Sequence, residues 1–389
     1  MRLRHRDGTI VHLAYCTNVH PAEDFAGLRD QLRRFAAPVR RELGVDRLGV
    51  GLWLPAGAAA RLAGDPAELA ELRADLDRLG LEVVTLNAFP YAHFHAPVVK
   101  QAVYHPDWTD EARLTYTLDA ARVLAGLLPD DVARGSISTL PLAWREPWSP
   151  DQAGAAAAQL DRLAAGLGQI AAETGRRVRV AVEPEPGCVV ETVADAVEHL
   201  AGVDTEHLGL CLDTCHLATS FEDAEAALGA LDRVGLPIVK TQVSAALHAE
   251  DPRDPATRQA LAGFVEDRFL HQTRELDGAG LLARDDLPDA LTGADALPGE
   301  GPWRVHFHVP LHAEPDPPLR STRDVLAATL ERLLGGEHPR TDHLELETYT
   351  WSVLPPHRRP HDDAGLVAGL AAELAWARDQ LTRLDLEVL

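Results

Sequence analysis

Short apolar runs alternate with helix-like runs along almost the whole chain, and this alternation restricts the fold more than any other feature. Nine runs read as strands, at 12–18, 47–55, 81–91, 136–144, 178–186, 208–216, 237–246, 303–311 and 343–351. Helix-like stretches fall at 22–43, 66–79, 109–127, 150–174, 191–201, 221–234, 255–270, 322–335 and 362–384. Strands joined through helices pair in parallel, because a helical crossover returns the chain to the same end of the sheet. Stretch 150–174 illustrates the helix reading. Ser149 and Pro150 suit a first turn, and Leu160, Leu163, Leu167 and Ile170 recur at helical spacing. The pattern predicts an α/β chain closed into a (β/α)8 barrel.

Nine strands are one too many for that barrel. The surplus lies between 237 and 351, where both 237–246 and 303–311 can serve as the seventh strand. We assign 240–244 to strand seven and read 306–310 as an extra strand beside or over the mouth. Residues 247–302 read as an insertion near strand seven, with the segment FLHQTREL and a Gly-bounded turn at 277–280. No internal repeat or low-complexity linker divides the chain, so a single domain over 1–389 is expected.

Composition narrows the function classes. A formal net charge of −23 disfavours a phosphate backbone as partner, and no basic patch offsets it, so no nucleic-acid partner is expected. No apolar run approaches a membrane span and no signal-peptide core opens the chain, so we expect no membrane partner and a cytoplasmic location. The four cysteines, Cys16, Cys188, Cys211 and Cys215, contain no CxxC and read as reduced, buried thiols. Abundant Ala, Arg, Asp and Leu with a single Met fits GC-rich bacterial coding. Nucleotide-binding glycine motifs, the GxSxG elbow and HExxH are all missing.

The chemistry gathers where strands should end. Glu183, Asp213 and Glu347 each close an apolar run. Parallel barrels deliver active residues from strand ends to one mouth, and converging carboxylates suit a divalent ion such as Mn2+, Mg2+ or Zn2+. His306 and His308 are two apart, so on a strand they share a face, as do Glu183 with Glu185 and Glu345 with Glu347. Buried carboxylates in such pairs need a cation or a shared proton. His216 follows Asp213 closely enough to reach substrate or a second metal position; the plainer alternative is that it caps a helix or bonds a carbonyl. Asn18, Asn87 and His95, with nearby aromatics, are candidates for a substrate wall.

Glu183 after AV, DTCH at 213–216 and LE at 346–347 resemble the xylose isomerase-like barrel superfamily of sugar phosphate isomerases, sugar epimerases and endonuclease IV-like enzymes. The resemblance implies a metal held by Glu183, Asp213, a seventh-strand ligand and Glu347, with the two glutamates as proton carriers and His216 on the substrate. The seventh-strand position carries Gln242 instead of the implied His, and His308 is the other candidate to complete the set. Segments YCTNVHP, TLNAFPYAHFH, HFHVPLH and LELETYTWSVLP resemble one subgroup more closely, the metabolite traffic protein EboE group. That likeness implies a role in processing or export of a small metabolite.

These readings point to a metal-dependent isomerase or epimerase acting on a small polyol, keto-sugar or related carbonyl compound. Two rivals stand beside it: metal-assisted phosphoester hydrolysis of the endonuclease IV type, and non-catalytic metabolite binding. The sequence leaves the oligomeric state open.

Overall fold

Eight parallel strands form the closed wall of the barrel in a computed structural model that describes all 389 residues. They are Ile10–Cys16, Leu48–Trp53, Leu81–Asn87, Arg134–Thr139, Arg177–Val182, Leu208–Asp213, Ile238–Val243 and His343–Leu346. The last pairs with both the seventh and the first, which completes the ring. Most of their residues are buried, as strands covered on both faces must be. Short hairpin strands Arg2–Arg4 and Glu387–Val388 lie against the first strand at the opposite end from the mouth. No helix is long and apolar enough to cross a membrane.

Local chemistry sets the helix limits. Ser149 and Gln152 form a reciprocal cap on Pro150–Thr174, and Gly175 ends it in the left-handed region. Asp65 starts Pro66–Leu79 by accepting from two backbone amides, and Gly80 stops it. Helix Ala56–Gly64, which the strand–helix pattern does not single out, follows the second strand.

The barrel interior is polar as well as apolar. Lys240 and Glu345 pair within it, and Gly51 makes room: a Cβ there would overlap the Glu345 carboxylate. Glu345 is therefore neutralised by a lysine rather than by the ion or shared proton expected for the 345/347 pair.

Between the seventh strand and helix Arg323–Leu334 the chain builds a second, antiparallel five-stranded sheet from Leu247–Ala249, Thr273–Asp277, Gly280–Arg284, Trp303–Val305 and Arg320–Ser321. Asp277 and Gly280 close its hairpin. The expected extra strand at 306–310 is corrected here. The regular strand stops at Val305, because the His306 amide bonds Gln272 O while Val309 turns to Ala245 O. The chain is then irregular to Pro310. The helix expected over 255–270 also stops early, at Ala262.

Candidate active site

Asp213 shows how the fold places a ligand. The strand expected through 216 ends at Asp213, because this residue caps helix Thr214–Thr219. Its Oδ1 accepts from the amides of Cys215 (2.6 Å) and His216 (3.0 Å) and from Ser244 Oγ (2.7 Å). Its Oδ2 is buried without a partner. Cys215 therefore lies in the helix rather than on the strand end, and all four cysteines are free and buried.

Glu183, Asp213 and Glu347 converge from strands five, six and eight, each offering an oxygen within 4.8 Å of the others, and all three are buried. Burial, then the charges of Glu347 and Asp213, hold the Glu183 carboxyl well above its ordinary pKa. Burial, then Asp213 and Glu345, do the same for Glu347. Glu183 Oε2 and both amide atoms of Gln242 are also buried and unpartnered. Gln242 lies opposite Asp213 in the sheet and, two residues beyond Lys240, shares its inward face. Three crowded carboxyl groups with unpartnered oxygens are a donor set that fits a hard or borderline divalent cation.

Asn18 and Asn87 both donate to Glu347 Oε1, at 2.7 and 2.8 Å. His95 bonds Asn18 O (2.7 Å), one step behind the cavity. Asn18 faces the cavity of about 500 Å3 at the mouth, whereas Asn87 and His95 are not on its lining. Glu185 lies across from Glu347, where burial raises its pKa, and it accepts from Tyr104 Oη at 2.7 Å. His216 sits in the capped helix with Nδ1 against Pro184 O (2.7 Å), and its Nε2 faces the cavity region beside His306 and His308. His308 meets Asp213 and His216 rather than Glu183 and Glu347. Burial lowers the His308 pKa to about 4 and holds that of His306 well below its ordinary value.

An aromatic cluster roofs the cavity. Phe94, Phe269 and Tyr349 lie 4.9–5.3 Å apart, ring centre to ring centre. Lys100 ties the two covering loops together through Phe269 O (2.8 Å) and Asp286 (2.6 Å), and its own amide bonds Arg268 O. Sequence reasoning missed Lys240, Tyr104, Tyr349 and Lys100. Lys240 carried a usable signal, its two-residue spacing from Gln242; the other three sit on irregular segments with no periodicity to read.

No curated protein matches the chain in sequence. Solved structures match over most of its length at low identity. A xylose isomerase-like TIM barrel protein from Mycobacterium smegmatis in complex with magnesium has a TM-score of 0.51 at 14% identity, covering 96% of this chain and 97% of that one. A xylose isomerase domain protein from Planctomyces limnophilus has a TM-score of 0.50 at 16% identity, covering 89% and 92%. D-allulose 3-epimerase from Methylomonas sp. in complex with D-allulose has a TM-score of 0.48 at 15% identity, covering 95% and 96%. These likenesses concern the fold alone. The family model described as xylose isomerase-like TIM barrel matches residues 10–281, from the first barrel strand through the hairpin of the second sheet. On that match, and on the closed eight-stranded ring that bears it out, the chain belongs to the xylose isomerase-like TIM barrel family.

Proposed function

We propose that this chain is a divalent-metal-dependent isomerase or epimerase acting on a small polyol, keto-sugar or related metabolite. The observation that carries the reading is the meeting of Glu183, Asp213 and Glu347, with free oxygens on Glu183 and Asp213. Those three residues, with Gln242 beside them, would hold the ion. A bound divalent ion supplies a Lewis acid for a substrate carbonyl and its neighbouring hydroxyl.

The residues account for the remainder. One of Glu183 and Glu347 removes the proton from the carbon beside the carbonyl, and the other, protonated, returns one to the resulting enediol. Their raised pKa values suit both tasks near neutral pH. Asn18 and Asn87 fix Glu347 through one oxygen and leave the other for chemistry. Glu185 and His216 are placed to bind substrate hydroxyls, and the roof of Phe94, Phe269 and Tyr349 excludes water. The subgroup resemblance supports a place for this reaction in processing or export of a small metabolite.

The test is solvent deuterium incorporation into a panel of ketoses and cyclic keto-polyols by the Mn2+-loaded protein. Exchange lost in Glu347→Gln supports the reading. No exchange across the panel counts against it.

A further inference from the structure

Three imidazoles meet next to the carboxylate set, and their hydrogen bonds fix their protons. His216 Nδ1 bonds Pro184 O at 2.7 Å, and His308 Nδ1 bonds Glu347 O at 2.5 Å. A carbonyl only accepts, so each ring carries its proton on Nδ1. His306 Nδ1 faces Gln272 Oε1 at 2.7 Å. The Gln272 amide cannot be reversed, because its Nε2 donates to Pro186 O at 2.9 Å. His306 is therefore protonated on Nδ1 too. All three rings present a bare Nε2 to one another.

The spacing is that of a metal site. His306 Nε2 lies 3.0 Å from His216 Nε2 and 3.2 Å from His308 Nε2. No donor stands among these lone pairs, so the arrangement is repulsive without a cation. Imidazole nitrogens held tetrahedrally at ~2.05 Å from zinc stand ~3.3 Å apart. A fourth ligand is at hand: Asp213 Oδ2 is unpartnered and 4.0 Å from His216 Nε2. The rings are also held from behind. His271 bonds His306 O at 3.0 Å and Glu266 at 2.8 Å, so the His306 backbone is anchored from outside the cluster.

We propose that His216, His306 and His308 form a second metal site, separate from Glu183–Asp213–Glu347, that takes a borderline ion such as Zn2+ and shares Asp213 with the first. Three nitrogen donors select zinc over magnesium, whereas the carboxylate set favours harder ions. The buried imidazoles carry this inference without the isomerase reading, and the two can fail separately.

The test uses the full chain stripped of metal and titrated with Co2+ alone. Four-coordinate cobalt with nitrogen ligands gives an intense visible band. The band is expected in the parent and in Glu347→Gln, bleached by one equivalent of Zn2+, and lost in His306→Asn and His308→Asn. Its absence from the parent, or its persistence in both histidine variants, overturns the proposal. Zinc-soaked parent crystals give a readout that needs no variant. An anomalous peak among the three Nε2 atoms supports the site, and a peak confined to the carboxylates, or none, overturns it.

Discussion

Lys240 Nζ lies 2.5 Å from Glu345 Oε2 in the barrel interior, with neither side chain exposed. Burial works against the ammonium, but Glu345 holds its pKa above the ordinary value. Leu86 O and Ser138 Oγ take further bonds from it. Removing one partner leaves an uncompensated charge, so Lys240→Met is expected to cost ~3–5 kcal/mol, and Lys240→Met with Glu345→Leu is expected to recover much of that. Urea unfolding of the single and double variants measures both. A lysine variant as stable as the parent would mean that the pair carries no charge.

Asn18 and Asn87 are expected to act on catalysis through Glu347 rather than on substrate affinity. Loss of one charge-assisted bond is worth ~1.5–3 kcal/mol, so Asn87→Ala should lower the exchange rate by ~10–100-fold. The KM for a responsive substrate should move far less. Steady-state exchange kinetics separate the two effects, and a change confined to KM would reassign the asparagine to substrate binding.

Acid should weaken the fold well above the pH at which carboxylates titrate. Burial pushes the pKa values of His20 and His343 down to about 3. Once unfolded, these rings bind protons near pH 6.5, so between ~6.5 and ~3 the unfolded state holds more protons than the folded one. Stability is then complete above ~6.5 and falls with pH across that window, by up to ~1.4 kcal/mol per unit for each ring. Tm measured from pH 7 to 5 should decline, and His343→Asn should flatten the slope. An unchanged slope would assign the acid sensitivity to other groups.

Glu373 should act in the opposite sense. It accepts from the Leu311 amide (2.9 Å), Thr348 Oγ (2.8 Å) and Trp351 Nε1 (3.2 Å), and so joins the C-terminal helix Asp363–Arg383 to segments flanking the mouth. Burial raises its pKa to about 7. The folded state therefore holds the extra proton between ~4.3 and 7, and stability declines as pH rises through 7. Glu373→Gln should remove that decline while keeping an acceptor for the three donors, and chemical denaturation at pH 6 and 8 compares the two proteins.

The barrel was legible because each of its strands is a short apolar run bounded by helix signals, and Glu183, Asp213 and Glu347 were legible because each ends such a run. The limits were set by local competition. Asp213 reads as the middle of a strand until its capping of the next helix is seen, since an aspartate serves either role. His306 and His308 keep their common direction although residues 306–310 form no strand, because bonds to Gln272 and Ala245 replace a sheet neighbour. Tyr104 and Gln272 meet Glu185 only through tertiary folding of irregular segments, which leaves no trace in spacing.

The divided carboxylate of Asp213 has a thermodynamic consequence. One oxygen pins the start of helix Thr214–Thr219 while the other is left open toward the cavity, so the same side chain serves architecture and ligation at once. Whatever grips the open oxygen also restrains the helix that carries His216, and any disturbance of that helix loosens the grip in equal measure, because the two equilibria are reciprocal.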